Sequence, residues 1–128
     1  MILQTLKKIV RVPEEFAKRD RSTNCLLEDI GFPAAREELK AGDVEPLLRA
    51  DQGLVDLWMT RGHDQRFVCG WGIENREGNY TVVSFADGRR IPFQDQYAAC
   101  AEFLVRYLCF IGDVQARAKG WIKRPRAA

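Results

Sequence analysis

The residues from which metal and catalytic sites are commonly built are scarce in this sequence. His63 is the only histidine among 128 residues, and Cys25, Cys69, Cys100 and Cys109 never form a CxxC pair. Zinc sites need Cys or His ligands clustered at short spacing. P-loop, DxDxDG and HExxH motifs are also missing. The sequence therefore predicts no metal and no cofactor, and it favours a binding protein over an enzyme.

Long apolar runs are missing as well. No run approaches the roughly 20 residues that a membrane-spanning helix needs. The first eight residues do not have the order of a signal peptide, because their apolar part precedes the charges and is too short. The four cysteines have apolar neighbours, which indicates buried, reduced thiols. We therefore expect a cytoplasmic protein with no membrane partner.

The net charge is only +2, from 20 Lys and Arg against 18 Asp and Glu, but the charges are unevenly distributed. Glu14 to Asp56 holds eleven acids and six bases, whereas the chain from Leu57 onward holds seven acids and eleven bases. This polarity either steers a partner or has no function, and the sequence leaves both open. Nucleic-acid binders usually have a pI above about 9. The pI of 8.4 therefore does not favour a nucleic-acid partner, despite the basic segment from Arg117 to Arg126.

Helical periodicity and capping residues dominate the first half. Leu3, Leu6, Ile9 and Val10 share a helical face. Capping and stop residues then predict short helices over Pro13–Arg19, Cys25–Ile30 and Val44–Ala50, with Gly42 ending a preceding turn and Asp43 as the last N-cap. A further helix over Gln52–Thr60 directs Leu54, Val55, Leu57 and Trp58 inward, and Gly62 terminates it.

The second half changes to a period of two and then returns to a helix. Strands are predicted over Phe67–Ile73, Tyr80–Ala86 and Arg89–Phe93, with a loop over Glu74–Asn79 and a two-residue turn at Asp87-Gly88. Pro92 places the third strand at a sheet edge, where it is open to pairing with a copy or a partner. Asp95 caps a long helix from Gln96 to about Lys119. Gly70 and Gly72 indicate close approach of a backbone or of a large side chain, such as Phe103 or Tyr107.

These elements predict an α+β fold. A three-stranded antiparallel meander is packed by the long C-terminal helix and by several short N-terminal helices. We expect Trp58 and Trp71 to anchor the helices to the sheet. Residues 1–120 form one globular domain, and residues 121–128 form a basic tail with Trp121.

A polar cluster at residues 61–66 is the strongest candidate for a functional surface. It gathers Arg61, His63, Asp64 and Arg66 where the predicted helix ends and the first strand begins. Surface segments held between rigid elements often carry function. In principle His63 and Asp64 are also an acid–base pair, which would need a nucleophile to act on. Ser84 is a possible nucleophile, but it lies in the middle of a predicted strand and lacks an elbow motif. A surface loop with salt links is the favoured interpretation.

The order of motifs resembles that of a known protein family over about residues 24–111. Six segments carry the resemblance: Leu27-Glu28-Asp29-Ile30-Gly31, Leu54-Val55-Asp56-Leu57-Trp58, His63-Asp64-Gln65-Arg66, Gly70-Trp71-Gly72-Ile73, Tyr80-Thr81-Val82-Val83, and Ala98 to Arg106. The chain resembles small cytoplasmic immunity proteins encoded beside bacterial polymorphic toxins, including those of contact-dependent and type VI secretion systems. In those relatives the turn is closer to Ser-Glu-Asp-Lys-Arg, and here Gly62-His63-Asp64-Gln65-Arg66 stands in its place.

The resemblance implies an inhibitor in bacterial competition that binds a cognate secreted toxin domain and occludes its active site. Arg61, His63, Asp64 and Arg66 are the expected toxin-binding residues, with Asp29 and Asp56 from the acidic half if the toxin site is basic. The alternative is a small regulatory or accessory protein with a nucleic-acid or enzyme partner. The sequence does not distinguish the toxin's activity or the oligomeric state.

Overall fold

The computed structural model describes residues 3–14, 32, 36–63 and 70–118. Within them the chain is α+β, as the sequence predicts. The elements in chain order are α1 (Leu3–Val10), a 3₁₀ turn (Arg36–Glu38), α2 (Ala41–Arg49), α3 (Gln52–His63), β1 (Trp71–Arg76), β2 (Asn79–Ser84), β3 (Arg90–Phe93) and α4 (Gln96–Ala118).

The three strands form an antiparallel meander in the order β1-β2-β3. Ile73 pairs with Val82, and Val82 pairs with Ile91, so these three side chains lie on one face of the sheet. That face packs against α4, and Ile73 and Val82 are buried there. The predicted edge position of the third strand is confirmed within the described sheet, because β3 pairs with β2 alone.

The hairpin boundaries differ from the prediction. The predicted loop over Glu74–Asn79 is wrong, since β1 continues to Arg76 and the turn contains only Glu77 and Gly78, with φ of 52° and 83°. Two positive φ values give a turn whose twist matches that of the flanking strands. The second hairpin has a four-residue loop, Phe85 to Gly88, rather than a two-residue turn. The Gly88 N–H donates to the Ser84 carbonyl at 3.0 Å, and the Ser84 N–H donates to the Arg89 carbonyl at 2.8 Å.

Helix α4 forms one wall of the core, and its predicted cap is confirmed. The Asp95 Oδ1 accepts the Tyr97 N–H at 2.9 Å. Trp58 is fully buried against α4, with ring centroids 6.5 Å from Phe103 and 6.2 Å from Tyr107. Its Nε1 donates to the Val10 carbonyl at 2.8 Å, which also ties α1 to the core. Trp58 is therefore a buried packing anchor, but these contacts join α3 to α4 and α1 and are not the predicted contact between helix and sheet.

Two helices depart from their predicted bounds. Helix α2 begins at Ala41, so Gly42 and Asp43 lie in its first turn; Lys40 is the N-cap, without a side-chain hydrogen bond. Helix α3 passes through Gly62 and ends at His63. A glycine inside a helix costs only about 1 kcal/mol relative to alanine, so it does not by itself end one.

The exposed large apolar side chains include Leu3, Leu57 and Phe110. Leu3, on the apolar face predicted for the first helix, is 56% exposed, and Leu57, which was predicted to face inward, is 38% exposed. Phe110 is 40% exposed, and its ring lies over Gly70, where an added Cβ would lie 3.0 Å from the ring. The close approach predicted at Gly70 is thus confirmed, with Phe110 as the neighbour in place of Phe103 or Tyr107.

Some predicted features lie outside the described residues. These are most of the Pro13–Arg19 helix, the Cys25–Ile30 helix, the beginning of the first strand at Phe67–Cys69, and the tail over residues 121–128.

Candidate functional site

The predicted site residues are spread over described and undescribed parts of the chain. Asp29, Asp64 and Arg66 lie outside the described residues. The backbones of Arg61 and His63 lie in the last turn of α3. The prediction of a loop at these two positions is therefore wrong, because the helix continues past Gly62. Among the six residues, the structure describes the side chain of Asp56, which is exposed on α3.

Asp56 belongs to a polar surface where the end of α2, the start of α3 and the start of α4 meet. We call this surface the helix junction, and it comprises Glu45, Arg49, Gln52, Asp56, Asp95, Gln96 and Tyr97. Each helix contributes polar residues on its solvent side, while its apolar side enters the core. Leu48 on α2 and Leu54 on α3, for example, are buried.

Arg49 lies at the centre of the helix junction. Its guanidinium pairs with the Asp95 carboxylate from the start of α4, and it lies 3.6 Å from the Glu45 carboxylate one turn back on α2. The same guanidinium lies over the Tyr97 ring, 4.8 Å from its centroid. These contacts hold the planar head of Arg49 between two carboxylates and an aromatic face, an arrangement to which arginine is suited.

A chain of hydrogen bonds joins Tyr97 to Asp56. The Tyr97 hydroxyl donates to the Gln52 Oε1 at 2.8 Å, and the Gln52 Nε2 donates to the Asp56 Oδ1 at 3.2 Å. The same Nε2 lies 3.3 Å from the Gln96 Oε1. The side chains of α3 and α4 are therefore held in one network, which reduces the conformational entropy that they would lose on binding a partner.

The helix junction and its border carry an excess of negative charge. On the border, Arg11 lies 3.1 Å from Glu14 and 3.6 Å from Asp51. Together with the junction this gives five carboxylates, at Glu14, Glu45, Asp51, Asp56 and Asp95, against the two guanidiniums of Arg11 and Arg49. Four of these carboxylates, at Glu14, Glu45, Asp51 and Asp56, belong to the acidic half of the sequence and lie together on this surface.

The local contacts alter the ionisation of two groups in the junction. Partial burial opposes ionisation of Asp95, but the Tyr97 N–H and the Arg49 guanidinium outweigh it and lower the pKa of that carboxyl. The hydrogen bond to Asp95 and the nearby negative charge in turn raise the pKa of Arg49. Both groups are therefore charged at neutral pH, so the ion pair is present under physiological conditions.

Cys100 and Ser84 are nucleophilic side chains that lie buried and outside the helix junction. Burial raises the pKa of the Cys100 thiol to about 12, so it is not a thiolate at neutral pH. Ser84 is the buried last residue of β2. The Arg89 N–H and the Ser84 hydroxyl bond to the Asp87 carboxylate and lower its pKa. In the part of the chain that the structure describes, no three His, Cys, Asp or Glu residues are grouped to hold a metal ion.

Sequence reasoning found Asp56 but missed Arg49, Gln52 and Tyr97. The predicted cap at Asp95 placed Tyr97 in the first turn of a long helix, which was the available signal. What the sequence does not provide is the packing of α2 against α4, which brings Arg49 to Asp95 across 46 positions.

Comparison of the chain with protein-family models, with curated proteins and with solved structures gave no match. None of the described helices has the length and apolar character required to cross a membrane.

Proposed function

We propose that the chain is an immunity protein that binds a cognate bacterial toxin domain and occludes its active site. The observation that carries this proposal is the helix junction, an exposed acidic surface whose side chains are held by one another. Charge complementarity across an interface accelerates association and rejects wrong partners. An acidic surface of this kind fits a toxin domain with a basic active-site face.

The composition of the junction supports a binding role. Arg and Tyr are enriched among the residues that contribute most to protein–protein binding energy. Arg49 and Tyr97 are in contact here, and both are fixed by neighbours on other helices. Fixed anchors bind with a smaller entropic cost than mobile ones.

Helix α3 connects the junction to the predicted toxin-binding residues. Asp56 precedes His63 by seven helical residues, which is about 10 Å along the helix axis. A standard interface buries about 800 Å² on each partner, and such an area extends over both ends of α3. Arg61, His63, Asp64 and Arg66 therefore remain part of the proposal, as does Asp29.

The first experiment expresses the toxin-like domain encoded beside this gene with and without the chain. The proposal expects cell survival only when the chain is present, and co-purification of a stable complex. Absence of a neighbouring toxin, or absence of both rescue and complex, would contradict the immunity function. It would favour the alternative of a regulatory or accessory protein.

Charge reversal at Asp56 tests the proposed interface. We expect Asp56→Lys to weaken toxin binding roughly tenfold, mainly through slower association. Glu77→Lys is the matched control, because Glu77 is an exposed acid in the β1–β2 turn and is not part of the helix junction. Equal effects of the two variants on the association rate would exclude the junction as the contact surface. Alanine substitution at Arg61 and His63 would then locate it.

A further inference from the structure

Hydrogen-bond alternation in the meander fixes which backbone groups of β3 point away from the sheet. The Ser84 N–H donates to the Arg89 carbonyl, so Ser84 and Arg89 form a hydrogen-bonded pair. In an antiparallel ladder such pairs alternate with pairs that make no bonds to each other. The bonded pairs are therefore Val82 with Ile91 and Tyr80 with Phe93. The backbone groups of Arg90 and Pro92 point outward.

Proline changes what this outer edge offers. Arg90 presents one N–H and one carbonyl, whereas Pro92 presents a carbonyl and no N–H. A strand that pairs with the outer edge of β3 would therefore find only one outward backbone N–H, that of Arg90. Any residue other than proline at position 92 would supply a second outward N–H. The four-residue length of β3 leaves no further outward residue within the strand.

The missing N–H of Pro92 affects pairing with another chain because this part of β3 is accessible. Arg90 and Pro92 are both exposed, and a cleft of about 300 Å³ opens beside Pro92, between Tyr80, Thr81, Phe93 and Gln94. Arg90 is also held toward the face of the sheet by Glu74, 2.5 Å away across β2. An accessible edge strand is a template for pairing with another chain, and proline or charge on the edge prevents such pairing.

We infer that Pro92 closes the β3 edge to strand addition, so neither a second copy of this chain nor an extended segment of a partner pairs with it there. The inference is independent of the proposed function, and it excludes both of the pairings, with a copy and with a partner, that the sequence left open for this strand. A partner that binds at β3 then does so through side-chain surfaces rather than by adding a strand to this edge of the sheet.

The test restores the missing donor with Pro92→Val and Pro92→Ala. Self-association is measured by sedimentation velocity over a micromolar to millimolar series, and hydrogen exchange at Arg90 and at position 92 reports where pairing occurs. Two copies of the variant that pair edge to edge would gain two new hydrogen bonds, one donated by the N–H at position 92 of each copy. We therefore expect self-association at least about tenfold tighter than in the wild-type chain, with concentration-dependent protection of both amides.

Ile91→Val is the matched control, because the Ile91 N–H already points to β2 and the change adds no outward donor. We expect it to sediment as the wild-type chain does. Far-UV circular dichroism establishes that each variant is folded, and the alanine variant preserves the test if the valine variant is not. Folded Pro92 variants that associate no more tightly than the wild type would overturn the inference. So would wild-type protection of the Arg90 amide that rises with concentration.

Discussion

The helix junction and the sheet that follows Gly70 differ in how far apart in sequence their paired residues lie. In the sheet, each strand pairs with the next strand along the chain, and short turns connect them. In the junction, Arg49 contacts Asp95 and Gln52 contacts Tyr97 across more than forty positions. The sheet is thus built from local signals, and the junction exists only because α2, α3 and α4 pack together.

The two regions also differ in what stabilises them. At the sheet end, Gly70 adopts a positive φ of 79° and the Phe110 ring lies directly against it, so backbone geometry and packing dominate. In the junction the contacts are exposed ion pairs and hydrogen bonds, and exposed ion pairs contribute at most about 1 kcal/mol each. We therefore expect substitutions at the sheet end to affect stability, and substitutions in the junction to affect stability little and partner binding more.

The largest effect is expected from Trp58→Ala, which tests whether the two regions unfold together. Trp58 lies between α3 and α4, and its loss removes buried surface and leaves the Val10 carbonyl without its donor. We expect a loss of about 3–5 kcal/mol in the free energy of unfolding, in a single transition. Leu57→Ala on the exposed side of the same helix should cost less than about 1 kcal/mol. Two separate transitions in chemical denaturation would indicate independent regions.

Gly70→Ala should have an intermediate effect and isolates the sheet end. The new Cβ would meet the Phe110 ring at 3.0 Å, in a backbone conformation with positive φ. The cost combines backbone strain and overpacking, about 2–4 kcal/mol together. Gly88→Ala is the matched control, since Gly88 has a φ of 73° and nothing within 4 Å of an added Cβ; it should cost about 1–2 kcal/mol.

Repeating the Gly70→Ala and Gly88→Ala substitutions in a Phe110→Ala variant tests whether the Phe110 ring causes the additional cost at Gly70. Without the ring, Gly70→Ala should cost about as much as Gly88→Ala, because only the backbone strain remains. If the two glycine variants differ by the same amount in both backgrounds, Phe110 is not the cause of the additional cost.

The smallest effect is expected from Asp95→Asn in the junction. Asparagine preserves the helix cap but removes the charge paired with Arg49. The folded-state pKa of Asp95 is lowered, so its stabilising contribution is present above the ordinary Asp pKa and is lost as the pH falls through the folded value. The wild type should be more stable than the variant by less than about 1 kcal/mol at pH 7 and equally stable in strong acid. A difference that does not change with pH would exclude the ionised pair as its cause.

Features that depend on interactions between residues close in sequence were easier to predict than features that depend on distant residues. The Asp95 cap and the position of Pro92 on an edge strand depend on one or two residues and were predicted correctly. The ends of α3 and β1 were not, because a single glycine at position 62 does not by itself end a helix, and the residues after Ile73 pair with β2 through a two-residue turn. The inward direction of Leu57 was wrong for a related reason, since the helical stripe is wider in the sequence than the surface that α3 buries.

Part of the candidate site can also be predicted from the sequence, and part cannot. The excess of acids before residue 57 is visible in the sequence, and Asp56 belongs to it. Its neighbours Gln52 and Tyr97 were not selected, because nothing in either local sequence indicates that the start of α3 meets the start of α4.

By itself the sequence determined the α+β class, the meander of three strands, the capped C-terminal helix and the acidic character of the first half, because these depend on periodicity, turn residues and composition within short stretches. The tertiary structure alone decided that Arg49 lies between Asp95 and Tyr97, that Phe110 covers Gly70, and that Arg61 and His63 end a helix. Those arrangements depend on how the apolar faces of α2, α3 and α4 share one core, and a core is a property of the whole chain rather than of any segment.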